Sequence, residues 1–189
     1  FKFIDCEQNY DYLDLLSLCE VVMPQYDFDC FIIDPINSLK KNKGMMQYSN
    51  AFEYNYEMMT DFRIFVKKYE KAIWLIMHSV TSAFRIKYAS NHEYAGHPLP
   101  LSIADCEGGN VFANRTDDFY TIHRLTQHES RWIYTELHCK KIKDHDLGCK
   151  PTPFDNPLIL ESIKNNVGFK LGDEDIVKPN IIEQLRLPF

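Results

Sequence analysis

The sequence predicts an α/β domain built on a mostly parallel, twisted sheet with helices on both faces. Three observations carry this expectation. Short apolar runs alternate with helix-period segments, as in strand–helix–strand units. The runs "FKFIDC", "FDCFII" and "AIWLIM" are near-continuously apolar, the pattern of strands buried on both faces. Two of them stop on a polar residue, Asp34 and His78, at the strand ends where parallel sheets place their ligands.

Taken in order, residues 1–6 read as a buried strand. Tyr12, Leu15, Leu16, Cys19 and Val22 then fall on one face of a helix, with Asn9 as its N-cap. Phe28–Ile33 is the second strand, and the polar stretch 37–50 is a loop. Asn50 and Glu53 form a capping box that opens a helix of about five turns. Its apolar stripe is Phe52, Tyr56, Met59, Phe62, Val66 and Tyr69, read as core packing. Residues 72–77 make a third strand, and 81–100 are polar and irregular. Strands at 118–124 and 131–143 follow, joined by a hairpin turn at "TQHES". Pro151, Pro153 and Pro157 mark 149–189 as a surface-hugging tail, so the core is expected over 1–148. No internal repeat is evident.

At 189 residues, 45% hydrophobic and 25% charged, the chain has the composition of one globular domain able to bury a core. No apolar run approaches the roughly 18–20 residues needed to cross a bilayer, so no membrane contact is expected. The net charge of −6 argues against wholesale polyanion binding but leaves a local basic groove open. The chain starts at Phe1 inside an apolar stretch, which reads as part of a longer protein. Six cysteines (6, 19, 30, 106, 139 and 149) form no CxxC pair; this usage suits a reducing, cytoplasmic setting. Seven histidines lack regular metal-ligand spacing, and a zinc site from His123, His128, His138 and Cys139 is disfavoured.

Asp34 and His78 are the candidates for chemistry. A carboxylate at a strand end can hold a Mg²⁺-bound water, and a neutral imidazole beside it can bond a phosphate oxygen. The structural alternative is that Asp34 caps a turn with Pro35 and His78 merely ends a strand.

The order of the motifs is similar to that of hexameric replicative helicases. "FIIDPINSL" (31–39) resembles the Walker B segment of RecA-like ATPases, and "LIMHSV" (75–80) the strand ending in their phosphate-sensing Gln or His. "LSIADCEGGNVFANRTDDFYTIHR" (101–124) resembles the fourth motif of those helicases. "ELHCKKIKDHDLG" (136–148) is similar to their strand ending in Lys-x-Arg before a Gly-bearing turn. The likeness runs from about residue 1 to 148, towards the helicase half of DnaB, Twinkle and phage primase–helicases.

That resemblance implies a RecA-like sheet and roles residue by residue. Asp34 would be the Walker B acid, holding Mg²⁺ through water, and His78 the γ-phosphate sensor for ATP. Arg85 and Lys87 in one loop, and Gly108, Gly109, Asn110 and Arg115 in and after another, would touch single-stranded DNA. Glycines there let backbone N–H groups approach phosphates without reading sequence. Lys141 and Lys143, at i and i+2 of a strand, would share a face about 7 Å apart and act in trans on the next subunit's ATP. The family has Arg at the second position; Lys143 lacks its bidentate fork. A solvated strand end would equally use Lys-Ile-Lys.

The implied partners are single-stranded DNA, further copies of the chain in a ring (a hexamer in the family) and a primase. The polarity implied is 5′–3′. One departure stands out: no Gly-x-x-x-x-Gly-Lys-Ser/Thr occurs in these 189 residues. Glu7 lies too close to Asp34 to be the family's catalytic glutamate. The chain by itself is therefore expected not to hydrolyse ATP. A RecA-type recombinase or regulatory ATPase remains an alternative, as does a degenerate α/β module that binds DNA or protein without hydrolysis. A metal-dependent nuclease or phosphatase would need Asp117 and Asp118 to fold back to the edge of Asp34.

Overall fold

A computed structural model describes residues 10–42, 44, 50–144, 146, 150–163 and 168–176. The expected strand at 1–6, Asn9, Glu7, and the turn at Gly148 lie outside these residues. The chain divides into two compact units, residues 1–80 with 103–116, and residues 81–102 with 117–189.

In the first unit, helix α1 spans Tyr12–Val22. Its N-cap is Asp11, whose carboxylate accepts from Leu13 N at 2.9 Å and Asp14 N at 3.0 Å. The Asp14 carboxylate in turn accepts from Asp11 N, completing a capping box. Tyr12 is fully buried, meets Tyr54 and Phe62 edge-on at 5.8 Å, and donates to Asp61 Oδ2 at 2.9 Å.

Strands β1 (Cys30–Ile33) and β2 (Ala72–Leu75) pair in parallel, with Cys30 opposite Ala72 and Ile33 opposite Leu75. Helix α2 (Ala51–Tyr69) connects them through the expected Asn50–Glu53 capping box. It ends at Glu70 in the left-handed conformation (φ 53°, ψ 40°). Its buried stripe is Tyr54, Met58, Met59, Phe62 and Phe65, whereas Phe52 and Tyr56 are exposed. Both sets are apolar at helical spacing. Tertiary contacts select between them, Tyr12 engaging Tyr54 and Phe62 while Phe31 meets Phe65 at 5.9 Å. The short helix α3 (Asn110–Arg115) buries Val111 and Phe112.

The second unit is a five-stranded antiparallel sheet in the order β3-β4-β5-β6-β7. Its strands are β3 (Phe119–His123), β4 (Tyr134–Lys141), β5 (Leu158–Ser162), β6 (Phe169–Leu171) and β7 (Glu174–Asp175). The β3–β4 hairpin is the one expected around "TQHES". Within the stretch expected as a tail, Leu158 pairs with Leu137 and Leu160 with Thr135, so β5 extends the sheet.

The mostly parallel sheet is thus corrected. Among the described residues, α/β content is present, but the only parallel pairing is β1 with β2. A short connection such as Gly172–Asp173 between β6 and β7 permits only an antiparallel partner. The coverage of both faces is corrected too. Burial alternates along β2 and over Phe31–Ile33, leaving Ile32 57% and Trp74 50% exposed. Residues 81–100 are more regular than expected. A 3₁₀ turn at Thr81–Arg85 leads to an antiparallel bridge between Lys87 and Pro98, flanked by Tyr88 N to His97 O (2.9 Å) and Leu99 N to Ile86 O (3.0 Å).

Candidate functional site: the β1–β2 edge and its loops

Because β1 and β2 run in parallel and in register, both chains leave the sheet at the same edge. Ile76 N donates to Ile33 O at 2.9 Å and Ile36 N to Ile76 O at 2.9 Å, so the pairing persists past the strands. Asp34, followed by a cis peptide to Pro35, and His78 therefore both follow strands that end at this edge, and both are exposed to solvent.

The two strand ends are tied together by residues not singled out from sequence. Asn37 Oδ1 accepts from His78 N at 2.9 Å, and Asn37 Nδ2 donates to Glu107 Oε2 at 2.9 Å. Glu107 N donates in turn to His78 O at 3.1 Å. A bridge between Ser79 and Cys106, and Val80 N to Asp105 O at 2.9 Å, continue the attachment. The segment after β2 is thereby zipped to the segment before Gly108-Gly109. Asn37, three residues beyond Asp34, and Glu107, just before the glycines, have no sequence signal of their own, since their link spans 70 residues.

Among the described residues, no three His, Cys, Asp or Glu side chains converge on a metal position. His123, His128, His138 and Cys139 form no such group. A single exposed carboxylate fits Mg²⁺ better, because that ion keeps several waters and takes its other ligands from substrate phosphates. Cys106, buried beside the loop with its Sγ 3.3 Å from Met77 Sδ, has its thiol pushed up to about 11 by burial and is inert at neutral pH. No disulfide is formed by Cys19, Cys30, Cys106 or Cys139.

The glycine loop divides into two different glycines. Gly108 (φ +97°) packs against Phe112 and Asn55, so its identity is required by packing. Gly109 (φ +75°, ψ −156°) is the N-cap of α3 and has open space where a Cβ would stand. Asn110, the first residue of α3, is exposed. Arg115 lies with its guanidinium carbon 4.0 Å from the Tyr56 ring centroid and donates to Thr60 Oγ1, so its charge is turned onto α2.

In the second unit, Arg85 and Lys87 are exposed on the 81–100 loop. Lys141 is the last residue of β4, paired with Phe119, whereas Lys143 lies beyond the strand. The shared strand face expected for the two lysines is therefore not enforced by the ladder. Lys143 Nζ instead donates to Asp117 Oδ1 at 2.6 Å in an exposed ion pair, and Lys143 N to Asp118 Oδ1 at 3.4 Å. Asp117 and Asp118 thus face Lys143.

The hairpin also carries a buried polar cluster that sequence reading missed. Opposed on β3 and β4, His123 and Glu136 are both buried, as is His138, whose Nε2 lies 3.1 Å from Glu136 Oε2. Burial pushes the Glu136 carboxyl up. The hydrogen bond with His138 and the nearby Arg131 guanidinium oppose it, and the group is held below the ordinary carboxylate range. Burial lowers His123, keeping it neutral, against the pull of Glu136.

No protein-family model and no curated protein matches the chain. Solved structures do. The ATPase domain of a helicase matches with a TM-score of 0.63 and 10% identity, over 85% of this chain and 51% of its own length. A DnaB-like replicative helicase, described with its interactions with primase, matches with a TM-score of 0.64 and 10% identity, over 85% of this chain and 34% of its own. The chain has the fold of part of a replicative-helicase ATPase domain, and it spans about half or less of those structures. Among the described residues, no helix is long and apolar enough to cross a membrane.

Proposed function

We propose that these 189 residues form the C-terminal part of the motor of a replicative DNA helicase, which hydrolyses ATP as it translocates along single-stranded DNA. The observation that carries this reading is the junction of Asp34, His78 and the Glu107–Gly109 loop at one sheet edge, held by Asn37. Bound Mg²⁺ would neutralise charge on the transferring phosphoryl group. Asp34 holds its water shell, and His78 senses the γ-phosphate through a hydrogen bond. Because His78 O and Glu107 N are bonded, loss of that phosphate shifts the loop bearing Gly109 and Asn110. Those residues, with Arg85 and Lys87, contact the DNA backbone, and Gly109 has the open space for a phosphate to approach. Arg115 supports α3 from behind. Lys141 and Lys143 complete the site of a neighbouring copy, with Asp117 restraining Lys143 in its absence.

On this reading the phosphate-binding loop would have to be supplied from outside these 189 residues, which contain no Gly-x-x-x-x-Gly-Lys-Ser/Thr. A ring of copies, with a primase as partner, follows from the same reading. The test is strand displacement by the intact protein on a forked duplex with a 5′ tail. ATP-dependent displacement that disappears in Asp34→Asn is expected. Tight DNA binding with no displacement and no nucleotide dependence would refute the motor and favour a binding module.

A further inference from the structure

Arg131 sits in the turn between β3 and β4 and reaches in two directions. Its guanidinium carbon is 4.6 Å from the Tyr134 ring centroid, and NH2 lies 3.8 Å from Glu136 Oε1, fixing it to the start of β4. In the other direction the same carbon lies 5.4 Å from the Tyr94 ring centroid. Tyr94 meets Tyr88 edge-on at 5.5 Å, and His92 stacks on Tyr88 at 4.3 Å and 21°. Tyr88 adjoins Lys87, and its N–H to His97 O bond closes the loop. A planar guanidinium suits such a place, because it can take a carboxylate and aromatic faces at once.

We propose that Arg131 is a positioning residue that clamps the loop bearing Arg85 and Lys87 onto the β3–β4 hairpin, and so sets how well that loop engages single-stranded DNA. The inference rests on the motor reading above. It adds a mechanical link: β4 carries Lys141 at one end and receives the Arg131 clamp at the other. A single strand thus joins the cations assigned to a neighbour's ATP with the loop assigned to DNA. Glu136 strengthens the clamp. The carboxylate is buried, accepts a hydrogen bond from His138, and keeps the guanidinium in place. An exposed arginine serving only solubility would have neither the buried carboxylate nor the two rings.

The test uses the intact protein carrying Arg131→Ala, Arg131→Lys or Lys87→Ala, and the Arg131→Ala/Lys87→Ala pair. ATP turnover is measured against oligo(dT) concentration, with hydrogen exchange of residues 86–99 measured in parallel. Arg131→Ala should raise the half-saturating oligo(dT) concentration by about fivefold, leaving turnover without DNA unchanged. Arg131→Lys, which keeps charge over the ring, should recover part of the loss. The double variant should lose less than the product of the single effects, because both act through one loop. Faster exchange at 86–99 in Arg131→Ala should accompany these changes.

Unchanged half-saturation, equal loss of DNA-free turnover, or multiplicative effects would overturn the proposal. If the wild-type protein shows no DNA-stimulated turnover, the motor reading fails and hydrogen exchange decides on the clamp alone. Unchanged protection of 86–99 in Arg131→Ala would then overturn it.

Discussion

A methyl group added at Gly108 would intrude on the Phe112 ring, standing 3.1 Å from Cδ2 and closer still to Cε2, and 3.1 Å from Asn55 Nδ2. Phe112 is 3% exposed and belongs to the core of α3, so it has little room to yield. Two costs combine for Gly108→Ala. An L-residue at φ +97° costs about 1–2 kcal/mol, and overpacking adds about 1–3 kcal/mol. The sum is about 2–5 kcal/mol. Gly109→Ala carries only a backbone cost of about 1–3 kcal/mol, because nothing lies within 4 Å of its added Cβ. Phe112→Leu separates the two contributions. Shortening the ring relieves the clash, so the Gly108→Ala/Phe112→Leu pair should be less destabilised than the sum of its singles by about 1 kcal/mol or more. Gly109→Ala and Phe112→Leu should add within about 0.5 kcal/mol. Hydrogen exchange of α2 amides reports the first unit alone and is the suitable assay. Additivity of Gly108→Ala with Phe112→Leu, or equal protection in the two glycine variants, would refute the packing argument.

Asp11→Ala removes the cap of α1 and an acceptor for Asn42 Nδ2, and should lower the stability of the first unit by about 1 kcal/mol in the same exchange assay. Tyr12→Phe leaves Asp61 without its buried donor and should cost about 1 kcal/mol; an unchanged exchange rate would contradict that bond. The second unit should weaken as pH falls. His123 is lowered from 6.5, so the unfolded chain binds its proton first and stability declines as pH drops below that value. Glu136 is lowered from 4.5, so its contribution, intact above that value, is lost as pH falls through the folded value. Exchange of β4 amides between about pH 7 and pH 4 should accelerate beyond the intrinsic pH effect, and His123→Phe should remove the upper part of that response. Lys143→Ala should change stability by less than about 0.5 kcal/mol, because its pair with Asp117 is exposed.

What was readable in the sequence was local. Asn50 and Glu53 cap α2 across three residues, and the β3–β4 hairpin is written in two strand-like runs around one turn. The position of Asp34 directly after β1 followed from where its apolar run stops, whereas β2 ends at Leu75, short of His78. What escaped was decided by distant partners. Tyr12 and Phe31 select which stripe of α2 is buried, a choice that periodicity alone leaves open because Phe52 and Tyr56 fit it equally. The three prolines obscured Leu158-Ile159-Leu160, whose strand role depends on residues 134–137. Asn37 and Glu107 are ordinary polar residues until folding brings them together. Arg115 reads as a basic contact in sequence, yet Tyr56 and Thr60 claim it.

ATP hydrolysis by the intact protein, with and without single-stranded DNA and beside Asp34→Asn, addresses the role of the β1–β2 edge most directly. Turnover that rises with DNA and collapses in Asp34→Asn is the result that a metal-holding carboxylate in a DNA motor requires. Turnover indifferent to both DNA and the substitution would place the nucleotide chemistry elsewhere and contradict the assignment of Asp34.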